Sequence, residues 1–132
     1  MPGLDVTPSV PAGRMVIQSY GDGRFRVAGD VIEGSVLVAA EACASWEAVT
    51  IADLDAIALH AALGPLDSAE RPAEILIIGC GAKFVAPSKG FRAAMKELGL
   101  AVEWMDTGAA CRTFNVLLGE DRRVVAAILV VD

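Results

Sequence analysis

Asp106-Thr107-Gly108-Ala109-Ala110-Cys111-Arg112-Thr113-Phe114-Asn115-Val116-Leu117-Leu118-Gly119-Glu120-Asp121-Arg122-Arg123 runs straight into Val124-Val125-Ala126-Ala127-Ile128-Leu129-Val130-Val131. The second stretch is the most apolar of the chain and carries no alternation, which is the pattern of a strand covered on both faces. In the first, Ala110, Phe114 and Leu117 fall on one side at helical spacing. Thr107 stands where a cap belongs and Gly119 where a helix stops, so the spacing predicts a helix over about 109–118. A helix that feeds a buried strand implies a layered α/β domain.

The residues upstream repeat that theme. Ile75 to Ile78 is an aliphatic run ending at Gly79 and reads as a central strand, while Val102 to Met105 returns as another. Between them Ser88 is placed to cap a helix whose Phe91, Ala94, Met95 and Leu98 share a face, with Gly99 as its left-handed stop. Strand, crossover helix and strand in this order make a parallel pair. Earlier, Thr50-Ile51-Ala52-Asp53 has capping-box spacing, and Leu54, Ile57, Ala58 and Ala61 supply an apolar stripe closed by Gly64-Pro65, which predicts a helix over about 52–63. The charged loop 65–72 is expected to be exposed. Met15 to Tyr20, Phe25 to Val27 and Ser35 to Val38 read as the strands of an N-terminal antiparallel meander, with turns at Gly21-Asp22-Gly23 and Gly29-Asp30. The stretch 39–48 has no clear period, and Trp46 within it is read as a plug at the edge of the core. Residues 1–14, with Pro2, Pro8 and Pro11, read as a loose tail ahead of a single domain over 15–132.

Composition narrows the function. At 132 residues the chain fits one core, and its net charge of -6 argues against broad electrostatic binding of nucleic acid or anionic lipid. No apolar run approaches the roughly 20 residues of a membrane-spanning helix. Cys43, Cys80 and Cys111 lie far apart without CxxC or Cys/His clustering, so neither a disulfide framework nor a zinc site is indicated. The opening residues have neither the basic start and apolar centre of a secretory signal nor the arginines of an organelle transit peptide, which makes the cytoplasm the expected location.

Chemistry is sparse. Gly79-Cys80-Gly81 follows a strand and precedes a helix, so its amides offer an anion cradle, but a dinucleotide fingerprint needs a third glycine and Lys83 is misplaced for a phosphate loop. Cys80 at that turn is a conceivable nucleophile. The single histidine, His60, falls on the helix face of Asp53 and Ala56 and reads as solvent-facing, so Cys80 lacks a base. Asp53 and Asp55 have no facing carboxylates for acid–base hydrolysis. Arg112 and Asn115, three apart, present neighbouring donors, with Glu120 and Arg122 just past the helix end. The competing reading is internal: Arg112 bridges to Asp106 or Glu120, Asn115 fixes a loop carbonyl, and Thr107 only caps. The candidate interaction or ligand surface is thus Gly79, Cys80, Gly81, Thr107, Arg112, Asn115, Glu120 and Arg122, with no catalytic set, metal or cofactor.

Ile17-Gln18-Ser19-Tyr20-Gly21 with Phe25-Arg26-Val27, then Gly34-Ser35-Val36-Leu37-Val38, Trp46, Ile77-Ile78-Gly79-Cys80-Gly81 and, above all, Met105 to Leu118 occur in an order that resembles the Mth-type domain-of-unknown-function family, which includes mitochondrial complex I assembly factors. The resemblance runs from about Met15 to Val131. It implies a three-layer α/β domain with a central mixed sheet, no established enzymatic activity, and protein partners such as respiratory-complex subunits. The family usually has threonine where this chain has Cys80. Two functional expectations follow: a non-enzymatic interaction domain, in the first place an assembly factor for complex I or another membrane-associated complex, and, as the alternative, a small-anion or nucleotide-binding module at Gly79 to Gly81.

Overall fold

Side chains that alternate between two covered faces organise the molecule. The computed structural model describes residues 4–5 and 13–132. In chain order the elements are β1 (Leu4–Asp5), β2 (Ile17–Gly21), β3 (Arg24–Val27), β4 (Asp30–Glu33), β5 (Ser35–Val38), β6 (Cys43–Trp46), α1 (Ala56–Leu63), β7 (Ile75–Gly79), α2 (Phe91–Glu97), β8 (Ala101–Met105), α3 (Thr107–Gly119) and β9 (Val124–Ile128). Five strands form a mixed sheet in the order β6-β5-β9-β7-β8, and β1-β2-β3-β4 form a separate antiparallel sheet. β7 runs parallel to both β8 and β9, whereas β5 is antiparallel to β6 and β9.

Every residue of β9 is buried, as its uninterrupted apolar sequence requires. Val124, Ala126 and Ile128, with Ile77, Val36 and Val38, meet Phe114 and Leu118 of α3 and Ile17, Phe25 and Val27 of the N-terminal sheet. Val125, Ala127, Leu76, Ile78 and Leu37 point the other way, onto Leu59 and Leu63 of α1 and Phe91 and Met95 of α2. The layers are therefore α3 with the N-terminal sheet, the mixed sheet, and the pair α1 and α2. Large side chains buried this fully stabilise by about 1.5–3 kcal/mol each.

α2 carries the expected face and ends as expected. Gly99 is left-handed, its amide reaches the Lys96 carbonyl, and the Leu100 amide reaches that of Met95. Phe91 meets Trp104 edge to face, with ring centroids 5.6 Å apart. Its start differs, because left-handed Gly90 precedes the helix and Ser88 contributes only its carbonyl, to the Phe91 amide.

Other elements depart further from expectation. Ser35–Val38 does not join the meander: Gly34, at φ +80°, turns the chain and the wholly buried strand moves into the mixed sheet, which alone covers both faces. The exposed Asp30–Glu33 completes the N-terminal sheet instead. Cys43–Trp46, in the unassigned stretch, pairs with β5, and the half-buried Trp46 packs at the core's margin. The Thr50 to Asp53 capping box closes only a 3-10 turn at Ile51–Asp53, and α1 starts later, where the Asp55 carboxylate accepts the amides of Ile57 and Ala58. Its buried residues are Leu59 and Leu63, while Ile57 of the expected stripe is 76% exposed.

α3 is capped by Asp106, whose carboxylate accepts the Ala109 amide, and not by Thr107, which is the first helical residue. At its other end Gly119 is still helical and Asp121 takes the left-handed position, with the Arg122 amide reaching the Leu117 carbonyl. Of the expected loose tail, residues 1–3 and 6–12 lie outside the described residues. Leu4–Asp5 pair with Tyr20 and Ser19, and the Arg14 guanidinium donates to Asp121.

Candidate interaction face

The carboxyl ends of parallel β7, β8 and β9 lie together, the edge at which open α/β sheets place their ligands. Gly79 ends β7 with no room for a side chain. A Cβ there would lie 2.7 Å from Ile128 Cγ2, 3.1 Å from Ala110 Cβ and 3.2 Å from Thr107 Cα. The close approach lets Thr107 join all three strand ends. Its hydroxyl donates to the Leu129 carbonyl at 2.7 Å and accepts the Gly81 amide at 3.1 Å, and its own amide donates to the Gly81 carbonyl at 2.8 Å. The Cys80 amide meets the Met105 carbonyl and the Leu129 amide that of Gly79. The amides of Cys80 and Gly81, which the sequence offered to an anion, are thus engaged inside the fold.

The eight candidate residues do not form one surface. Gly79, Gly81, Thr107 and Arg112 gather near the amino end of α3, where the Arg112 side chain reaches back towards Gly108 and Tyr20. Among the described residues Arg112 makes no ion pair with Asp106 or Glu120. Asn115 is buried: its carbonyl oxygen accepts the Ile17 amide and its amide donates to the Ile17 carbonyl, both at 2.9 Å, where the register of β2 against β3 shifts. Glu120 and Arg122 lie past the other end of α3, roughly 20 Å away at 1.5 Å per residue. Arg122 lines a separate hollow of about 280 Å³ with Arg14 and Arg71.

Cys80 is buried on the α1–α2 side, where its sulfur accepts the Val85 amide at 3.3 Å and its thiol donates to the Lys83 carbonyl at 3.6 Å. It braces a loop from within the fold. His60 is half-buried beside Leu98 and Leu100, at the amino end of β8. Burial pushes the Cys111 thiol up to about 12, and burial with the Asp30 carboxylate raises that of Cys43.

The loop that Cys80 braces carries no periodic signal in the sequence. Residues 82–90 cross the carboxyl edge of the sheet with Phe84 62% exposed and Val85 49% exposed. The Trp104 indole donates to the Val85 carbonyl at 2.6 Å and pins the loop from beneath. Residues 75–96 contain Lys83, Lys89, Arg92 and Lys96 and no Asp or Glu, although the chain has 17 acidic residues. That charge void was the available signal.

Comparison with known proteins agrees with this architecture. The family model described as "Protein of unknown function (DUF498/DUF598)" matches residues 17–129. An uncharacterized protein of Rhodobacter capsulatus is 40% identical over 89% of this chain and 86% of its own length. NADH dehydrogenase [ubiquinone] 1 alpha subcomplex assembly factor 3 of Xenopus tropicalis is 33% identical over 88% of this chain, which spans only 61% of that relative. A solution structure from Bordetella pertussis, described as a Mth938-like domain, superposes with a TM-score of 0.75 at 28% identity, covering 96% of this chain and 92% of the other.

Proposed function

The chain belongs to that family of proteins of unknown function, and from this premise we propose that it is a non-enzymatic interaction protein that assists the assembly of respiratory complex I. One observation carries the reading: the loop 82–90 holds Phe84 and Val85 in solvent at the carboxyl edge of the sheet, flanked by Lys83 and Lys89 and fastened by Trp104 and Cys80. Adjacent large apolar side chains held out in this way suit a partner that buries them. The polar groups beneath are engaged with one another, so the face binds through apolar and cationic side chains and activates no substrate. Similarity to an assembly factor supplies the kind of partner, a subunit or intermediate of the respiratory complex.

No helix among the described residues is long and apolar enough to cross a membrane. We place the protein in the cytoplasm, with its three cysteines reduced, meeting its partner from the aqueous side. The net charge of -6 speaks against nucleic acid as the partner.

A photo-crosslinking amino acid tests the face. Replacing Phe84 with p-benzoylphenylalanine should yield an adduct with a complex I subunit in cells, whereas replacing Val116, 57% exposed on α3, should not. Equal labelling from both positions, or none from position 84, defeats the proposal.

A further inference from the structure

On the β6 side of the mixed sheet lies a groove of about 570 Å³ between the end of β6 and the start of α1. Its shape follows from side-chain size. The α1 residues facing it, Ala58 and Ala62, sit four apart on one stripe and carry only methyl groups, which leave the space between helix and strand unfilled. Buried Ala48 and Leu59 form the floor, and half-buried Trp46 offers part of its ring.

The lip carries one sign of charge. Glu47, Asp53 and Asp55 line it, and no Lys or Arg does. The Asp53 carboxylate accepts the amides of Val49 and Thr50 and lies below the usual carboxylate range for that reason; Asp55 caps α1. Amide bonds orient these carboxylates without neutralising them, and Glu47 adds a third charge. An apolar floor under an anionic lip complements a segment with the reverse pattern.

We infer that this groove receives a cationic amphipathic segment of a partner protein, which lays apolar side chains over Ala58, Ala62 and Leu59 and sets Lys or Arg against Glu47, Asp53 and Asp55. An arginine of that segment also has the Trp46 ring within the groove to stack upon. The surface is separate from the 82–90 loop and opposite to it in charge, so it stands or falls independently of the complex I reading.

The test titrates the full-length protein, labelled with nitrogen-15, with a synthetic helix-forming peptide of leucine and lysine at helical spacing. The same peptide with glutamate for lysine serves as the control. Saturable shifts at Ala58, Ala62 and the Trp46 indole are expected with the lysine peptide only. Ala58→Lys and Glu47→Lys, both at exposed positions, should weaken binding at least tenfold, while Glu33→Lys, the same charge change as Glu47→Lys at another exposed position, stays within twofold. The inference is overturned by the absence of saturable binding, by equal binding of the glutamate peptide, or by Glu33→Lys weakening binding as much as Glu47→Lys. Concentration-dependent self-association through the same resonances also overturns it, since the occupant would then be a second copy.

Discussion

Asn115 uses both ends of its side-chain amide on one residue, satisfying the Ile17 N–H and C=O where β2 slips against β3. Asn115→Leu keeps the branched heavy-atom shape and strands two buried backbone groups, at about 1–3 kcal/mol for each unsatisfied partner. Urea denaturation should show a loss of at least ~2 kcal/mol with an unchanged slope, and an unmoved midpoint contradicts the assignment. Cys111 gives a second prediction, in alkali. The folded chain holds the thiol proton up to about 12, whereas an unperturbed thiol releases it near 9.0. Between those values the unfolded chain binds fewer protons, so this contribution is fully present below the window and is lost as pH rises through it. The difference in melting temperature between wild type and Cys111→Ala should therefore shrink or change sign from pH 8 to pH 11, and a constant difference counts against burial of the thiol.

In α1 the composition misleads: Ile57, Ala58 and Ala61 suggest a stripe, yet the later start at Asp55 turns Leu59 and Leu63 inward. Ile57→Lys should change stability by no more than about 0.5 kcal/mol, whereas Leu59→Ala should cost about 2–5 kcal/mol. Equal effects in chemical denaturation contradict the observed face. Much else was legible. The apolar runs at Ile75 and Val124 and the intervening Phe91 to Leu98 face announce the parallel core, because a doubly covered strand has no choice of composition. Ser35–Val38 could not be placed from its neighbours, since the choice of sheet depends on partners distant in sequence. Asn115 was within reach: four after Cys111 and three before Leu118, it lies on the stripe that α3 buries, although its polarity suggested a surface. The 82–90 loop left only its charge void to read, because periodicity is silent about an extended segment that keeps Phe84 in solvent.

The whole molecule is an acidic domain that presents an apolar, basic loop beside the end of β8 and an acid-lipped groove beside the end of β6. Thr107 and Gly79 make the first of these firm by locking the ends of β7, β8 and β9 together. Thr107→Val removes a bond given and a bond received, and Thr107→Ser keeps both, so only the former should lower the melting temperature appreciably. Service of this loop in complex I assembly is the proposal that matters most here. Its most direct test is the amount of assembled complex, by native gel electrophoresis and NADH oxidation, in membranes from cells that lack the protein and carry either wild type or Phe84→Asp. A loss on deletion, restored by wild type and not by a folded Phe84→Asp protein, is the expected result; unchanged complex and unchanged oxidation after deletion would contradict the proposed role.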